Sequence, residues 1–349
     1  MDHSALFVSI GRESTTHLKD LGYVEALRRW GWDVTWEHLN TYDGTGMERY
    51  DLIMWDGAIP ERALQRIERR QILVAMGGVG DKIEYYRRYI DKIRCATTSL
   101  FYFDEPRYAW SLNNISRDLI LPHRFWREFR YERRFTRFAS PRFWREFGMR
   151  LVYLPYASDP ALFHPLPNAS KRWRWGFCGT IYNRHFVRHL MKTSRSRSVP
   201  FHVAAKEMGT AIPPASLNEF YNQLEIGANE HWHGVLGREL NQRLFDLGMA
   251  GIFQITDMEW LARELVGPYA AFYAGKAADR RARKQGAELV LHFAHSFSPD
   301  EIHWYFRRRH SFEARLAKVS RTIGEDLSLG KATWNDLESE MVGNMGARI

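Results

Sequence analysis

The residues best suited to chemistry are arginines, glycines and amides gathered around one helix start. His231-Trp232-His233-Gly234-Val235-Leu236-Gly237 runs into a helical pattern carrying Arg238, Asn241 and Arg243. A glycine-containing loop ahead of a helix leaves backbone amides free, and arginines beside them add charge, so the segment suits an anion. Arg184, shortly after the loop at Gly179-Thr180, is placed to reach the same anion from the other side. The plainer readings are an ordinary loop for Gly234 and Gly237 and a surface ion pair for Arg243.

Near the N-terminus, Gly11-Arg12-Glu13-Ser14 follows an apolar run, and Gly11 lets the backbone approach a ligand closely. His17 is a candidate base at a helix start, where a histidine is more often structural. Neither His231 with His233 nor His292 with His295 has a third ligand at a recognised spacing, so no metal site is expected.

A different chemistry is written in Arg124-Phe125-Trp126-Arg127-Glu128-Phe129, which returns identically as Arg142-Phe143-Trp144-Arg145-Glu146-Phe147. Nine arginines and nine aromatics interleave between 124 and 150, against three glutamates. Pro141 makes two helices a better reading than one. This basic patch fits nucleic acid, with arginine on phosphates and rings on bases, or a membrane interface carrying anionic lipid. An amphipathic insertion whose rings complete a core fits equally well.

The elements that must position these groups follow from periodicity. Apolar runs at Ala5–Ile10, Asp33–His38, Asp51–Trp55, Gln71–Met76 and Thr97–Phe103 read as strands. Helical patterns at Leu18–Trp30, Pro60–Arg70 and Lys82–Arg94 separate them. Strands alternating with helices imply a parallel sheet covered on both faces, a Rossmann-like first half. Arg150–Tyr156 adds a strand, and Asp159–Asn168, with three prolines, reads as a linker. A second α/β series follows, with strands at Trp173–Cys178, Phe201–Ala205, Glu225–Ala228 and Gly251–Thr256. Its helices are expected at Asn183–Thr193, Ser216–Gln223 and Arg238–Ala250. Two such halves place a ligand cleft between the carboxyl ends of their strands.

Composition sets the outer bounds. The 349 residues are 45% hydrophobic and 26% charged, which is globular. No apolar run reaches the roughly 20 residues of a membrane span, and Ala5–Ile10 is too short for a secretory signal, so the cytosol is the expected compartment. Two cysteines, Cys95 and Cys178, exclude a disulfide scaffold. The net charge of +9 rests on arginine, which outnumbers lysine about four to one, and +6 of it lies between 124 and 150.

Four segments carry a resemblance. Leu154-Pro155-Tyr156-Ala157-Ser158-Asp159-Pro160-Ala161-Leu162-Phe163-His164-Pro165 and Trp175-Gly176-Phe177-Cys178-Gly179-Thr180 resemble the interdomain signature and the opening strand and loop of the nucleotide domain in CgeB-like (spore maturation) glycosyltransferases. The run from Asn241 to Asp257 and the closing Arg309-His310-Ser311-Phe312-Glu313-Ala314-Arg315 resemble that family in the same order. The likeness covers roughly 150–320 and implies a GT-B fold, α/β, with two Rossmann-like domains facing a central cleft and C-terminal helices packing across both.

The domains implied are 1–157, an acceptor domain with the basic aromatic insertion at 107–149, and 158–349, which binds a nucleotide-sugar and whose last helix returns to the first domain. The implied reaction moves a sugar from a nucleotide-sugar co-substrate to an acceptor, with no metal and no other cofactor. Gly179, Thr180, Arg184, Gly237, Asn241 and Arg243 would hold the diphosphate, Arg184 and Arg243 stabilising the leaving group. Asp246 would accept the ribose hydroxyls, although the family more often has Glu there, and Arg238 stands where some relatives carry a second Glu. Asp104-Glu105-Pro106 resembles an Asp-x-Pro at the equivalent strand end, making Asp104 the candidate base or acceptor contact, with Gly11, Arg12, His17 and Glu105 beside it. A capped turn is the alternative for Asp104. The expected acceptor is a saccharide, a lipid, a small molecule or a modified base in nucleic acid. The alternative from another class is a binding module for nucleic acid or membrane whose donor site has decayed.

Overall fold

The computed structural model describes residues 3–11, 17–76, 88–98, 150–181, 184, 187–188, 190–192, 201–231, 240–256, 265–272 and 295–331. The chain forms two compact units, one of Met1–Pro155 with Phe312–Ile349 and the other of Tyr156–Ser311. It thus crosses from the first unit to the second after Pro155 and returns after Ser311.

In the first unit, β1 (Ser4–Ser9), β2 (Asp33–His38), β3 (Leu52–Asp56), β4 (Ile72–Met76), β5 (Ile93–Thr98) and β6 (Leu151–Tyr153) form one parallel sheet in the order β2-β1-β3-β4-β5-β6. Successive side chains of β1 serve opposite faces. Leu6 and Val8 join a core with Met47, Ile53, Trp55, Leu64 and Leu73. Phe7 turns to the other face and stacks on Tyr23 of α1 (His17–Arg29), with ring centroids 6.1 Å apart. Both faces are apolar because helices cover both. The second cover of that face is α6 (Phe312–Ile323), whose Phe312 meets the Tyr23 ring edge-on at 4.9 Å.

In the second unit, β7 (Trp173–Cys178), β8 (Phe201–Ala204), β9 (Leu224–Asn229), β10 (Phe253–Thr256) and β11 (Ala270–Phe272) form a parallel sheet in the order β11-β10-β9-β7-β8. Its helices include α3 (Leu217–Asn222), α4 (Gln242–Met249) and α5 (Pro299–His310). The proline-rich stretch is held to α3 by Asn222, which accepts from the Leu166 amide (2.8 Å) and donates to the His164 carbonyl (3.0 Å). In α4, Gly248 gives the Phe306 ring of α5 its seat.

Several elements differ from the sequence expectations. β5 starts at Ile93, inside the expected helix Lys82–Arg94, because Ile93, Cys95 and Ala96 are buried beside β4 and extended pairing outweighs a helical spacing that continues to Ile93. Of the expected strand Thr97–Phe103, residues 99–103 lie outside the described residues. α2 (Glu61–Arg66) is shorter than Pro60–Arg70; Pro60 is its cap, and Ile67 leaves the helix with ψ 128° to enter the core. β6 stops before Pro155, which lacks the amide a ladder needs.

Gly22 of α1 illustrates how packing overrides propensity. Glycine to alanine inside a helix ordinarily stabilises by roughly 1 kcal/mol, but a Cβ here would overlap the Phe312 ring. Gly22→Ala is therefore expected to destabilise, by about 1–3 kcal/mol as overpacked cores do. Urea unfolding followed by circular dichroism checks the sign.

Candidate functional site

In an open parallel sheet the winding direction reverses once, and the loops at that reversal separate to leave a crevice at the carboxyl ends of the strands. In the second unit the chain passes from β7 outward to β8 and then returns to the other side of β7 as β9, so the reversal lies between β7 and β9. Gly179 follows β7, Asn229 ends β9 and Glu230 follows it.

Four of the expected anion ligands meet there. Arg243, in the first turn of α4, lays its guanidinium over the Phe177 ring of β7, 4.3 Å from the centroid. Its Nη1 donates to Asn229 Oδ1 at 3.5 Å, and its buried Nε has no hydrogen-bond partner. Gly179 has φ +136°, and a Cβ on it would overlap the guanidinium, so this position needs glycine twice over. Asn241 caps α4, accepting from the Leu244 amide at 3.2 Å while donating to the Glu230 carbonyl at 3.0 Å. That same carbonyl accepts from Arg184 Nη1 at 2.9 Å. Thr180 stands exposed beside Gly179, and Gly237 lies outside the described residues.

Glu230 and Asn229 were not among the expected residues. Glu230 is fully buried, and its Oε2 accepts from the Val187 amide at 2.9 Å, tying the stretch that carries Arg184 to the end of β9. The available signal was their place, polar residues directly after the expected strand Glu225–Ala228, where a strand delivers its carboxyl end to a site.

Asp246 sits 3% exposed on the inner side of α4. Its Oδ1 accepts from Ser158 Oγ at 2.8 Å and from Gln242 Nε2 at 2.9 Å. Burial pushes its carboxyl up to about 7, against the opposing effect of those two donors and of Arg243.

The first unit has its own reversal, at β1, which is flanked by β2 and β3. There Lys19 of α1 donates to Asp56 Oδ2 at the end of β3, at 2.6 Å, and lies 3.6 Å from Asp20. Ser9 Oγ accepts from the Gly11 amide (3.2 Å) and from Trp36 Nε1 (2.9 Å). A Cβ on Gly11 would overlap the Asp20 carboxylate, so the backbone passes directly against that group. Asp20 is 1% exposed and its carboxyl rises to about 6, chiefly by burial, with Asp56 adding to the rise and Lys19 and Ser9 opposing it. Lys19, Asp20 and Asp56 were absent from the sequence expectations; their signal was again charge at strand ends and in the helix turn that follows. His17 opens α1. Arg12, Asp104, Glu105 and the Arg-Phe-Trp-Arg-Glu-Phe repeat lie outside the described residues.

No protein-family model matches the sequence, and no curated protein matches it. Solved structures do. The chain is similar to AviGT4, a glycosyltransferase involved in avilamycin A biosynthesis, with TM-score 0.51 and 10% identity over 92% of this chain and 98% of that one. It is also similar to an α-glucosyltransferase solved in complex with UDP and a 13-mer DNA containing an HMU base, with TM-score 0.50 and 7% identity over 91% and 99%. The likeness, with two parallel-sheet α/β units, establishes a GT-B fold. Among the described residues no helix is long and apolar enough to cross a membrane, and no group of three or more His, Cys, Asp or Glu is placed to hold a metal ion.

Asp20 makes stability depend on pH with a definite sign. Between pH about 4 and about 6 the folded chain holds a proton that the unfolded chain releases, so stability falls as pH rises through that window. Asp20→Asn is expected to stabilise by up to about 3 kcal/mol at pH 7.5 and by nothing at pH 3.5. Thermal melts at the two pH values check this; an equal gain at both would contradict it.

Proposed function

We propose that this chain is a glycosyltransferase that transfers a sugar from a nucleotide-sugar to an acceptor, binding the nucleotide diphosphate at the β7/β9 reversal. The observation that carries the reading is that Arg184 and the capped start of α4 converge on the Glu230 carbonyl, while Arg243 lies against Gly179 and reaches the neighbouring Asn229. When the bond to the anomeric carbon breaks, negative charge grows on the departing diphosphate. Arg243 is held against Phe177 before any substrate arrives, so its charge is in place without reorganisation. Arg184 and the α4 amides add charge and hydrogen bonds from the other strand end. Metal independence belongs to this proposal, because the cations needed are side chains of the chain itself.

The acceptor belongs, in this reading, to the first unit, with Gly11, Arg12, His17, Asp104 and Glu105 as expected from sequence and with Lys19, Asp20 and Asp56 added. If the reaction inverts configuration, Asp104 is the base that the resemblance implies, while Asp20, 1% exposed and pressed against the Gly11 backbone, shapes the wall of the site. The Lys19–Asp56 pair beside it orients a hydroxyl. Membership of the CgeB-like family rests on the four segments quoted above, and the choice between hexosyl and pentosyl transfer is part of the same proposal.

A modified base in DNA is a second acceptor reading, supported by the UDP- and DNA-bound α-glucosyltransferase of similar fold and by the arginine-rich stretch 124–150. Acceptor affinity is then expected to fall steeply with salt, by roughly 10³-fold or more between 50 and 200 mM for about six phosphate contacts. An affinity flat in salt would remove this reading.

Arg243→Ala and Gly179→Ala are expected to stay folded and to lower kcat/KM by roughly 10²-fold or more, the first by removing the cation and the second by displacing it. Thermal shift with a panel of nucleotide-sugars gives the preceding test: a bound donor raises the melting temperature by mass action. No shift and no calorimetric heat with any nucleotide-sugar would overturn the reading in favour of a binding module with a decayed site.

A further inference from the structure

We propose that Asp246 is a positioning residue: through Ser158 and Gln242 it locks the first turn of α4, and hence Arg243, to the segment Ala157–Ser158. The inference rests on the diphosphate-site reading above and replaces the ribose contact that the resemblance implied for Asp246.

One carboxylate oxygen, Oδ1, takes both donors, Ser158 Oγ at 2.8 Å and Gln242 Nε2 at 2.9 Å. Gln242 also donates from Nε2 to the Ala157 carbonyl. Two links therefore run between α4 and two consecutive residues of the incoming segment, and the Gln242–Asp246 bond joins them within α4. That segment is fixed in turn: the Ser158 amide donates to the His310 carbonyl at 2.9 Å, Ser158 forms a parallel bridge with Ser311, and Ser158 itself is fully buried. A buried hydroxyl and a buried carboxylate that satisfy each other are costly to separate.

Arg243 lies three residues before Asp246, and residues at that spacing share a helix face. A small rotation of α4 would carry the guanidinium off the Phe177 ring and away from Gly179. At 3% exposure, with two donors already on one oxygen, Asp246 has the surroundings of an anchor and not of a ligand for a diol.

The test measures binding of UDP, ADP and GDP, and of their 2′-deoxy counterparts, by calorimetry to wild type, Asp246→Asn, Asp246→Ala, Ser158→Ala and the Ser158→Ala/Asp246→Ala double variant. Amide hydrogen exchange across α4 is followed in parallel without nucleotide. Ser158→Ala and Asp246→Ala are each expected to weaken binding about 10-fold, the double variant no further than the weaker single one, as for two members of one link. Asp246→Asn is expected within about 3-fold of wild type, because the amide Oδ1 still accepts both donors. The preference for ribose over deoxyribose stays the same in wild type and Asp246→Ala, and exchange in α4 quickens in both alanine variants but not in Asp246→Asn.

Wild-type affinity in Ser158→Ala, unchanged exchange in the alanine variants, or loss of the ribose preference in Asp246→Ala would overturn this inference while leaving the donor site standing. Wild type that binds none of the nucleotides would overturn the donor site and this inference with it.

Discussion

A guanidinium pressed face-on against a phenyl ring, with a glycine where any side chain would collide with it, is the constraint from which the candidate donor site follows. Arg243 over Phe177 couples the first turn of α4 to the end of β7, and Gly179 keeps the space open. Such a contact contributes about 0.5–2 kcal/mol, a small sum for the fold but a large one for the orientation of a single side chain. Glu230 supplies the second coupling, from β9 to the stretch carrying Arg184 and to the α4 cap. Two strand ends and one helix start are thereby fixed at one place before any ligand binds, which is what electrostatic stabilisation of a departing anion requires.

Each sheet reversal also carries one buried carboxylate displaced toward neutrality, Asp20 in the first unit and Asp246 in the second. Burial is the leading cause in both, but their surroundings differ. Asp246 is matched by two hydrogen-bond donors on one oxygen, and its raised pKa accompanies a structural link. Asp20 lies 3.6 Å from the Lys19 ammonium and faces a backbone made thin by Gly11. The same shift thus accompanies a hydrogen-bonded link between segments in one unit and an ion pair beneath a close backbone approach in the other.

The fold class was legible because βα alternation is a local signal, and parallel strands buried on both faces read as continuous apolar runs. β1, β2 and β7 lie within a residue of their expected bounds for this reason. β5 was not, since Ile93 continues a helical period and only pairing with β4 decides its state. In the site, Arg184, Asn241, Arg243 and Gly179 could be named from residue type and position relative to a helix start. Glu230 and Asp56 could not, because their roles depend on which strands are neighbours, and strand order is a property of the whole sheet. Asp246 was named through the family resemblance, as a ribose contact, but its direction of facing depends on Ser158, 88 residues earlier in the chain.

The segment His310-Ser311-Phe312-Glu313-Ala314-Arg315 shows how a motif can be recognised for one reason and used for another. It was singled out by its resemblance to the closing helix of the CgeB-like family, and in the structure His310, Phe312, Glu313 and Arg315 make packing and hydrogen-bond contacts within their own units. His310 bonds the Leu265 carbonyl at 2.6 Å and lies 5.2 Å from the Phe245 ring, and Ser311 bridges to Ser158, all within the second unit. After the chain returns to the first unit, Phe312 fills the seat left by Gly22, and Glu313 takes the Arg29 guanidinium at 2.6 Å. Arg315, almost fully buried, donates to the Pro155 carbonyl at 2.9 Å, and burial lowers its pKa to about 10. A buried guanidinium is expensive to desolvate and hard to replace, since lysine lacks its planar fork. Pro155 and Ser311 are the last residues before the two crossings, so the motif fixes where the chain leaves and re-enters each unit.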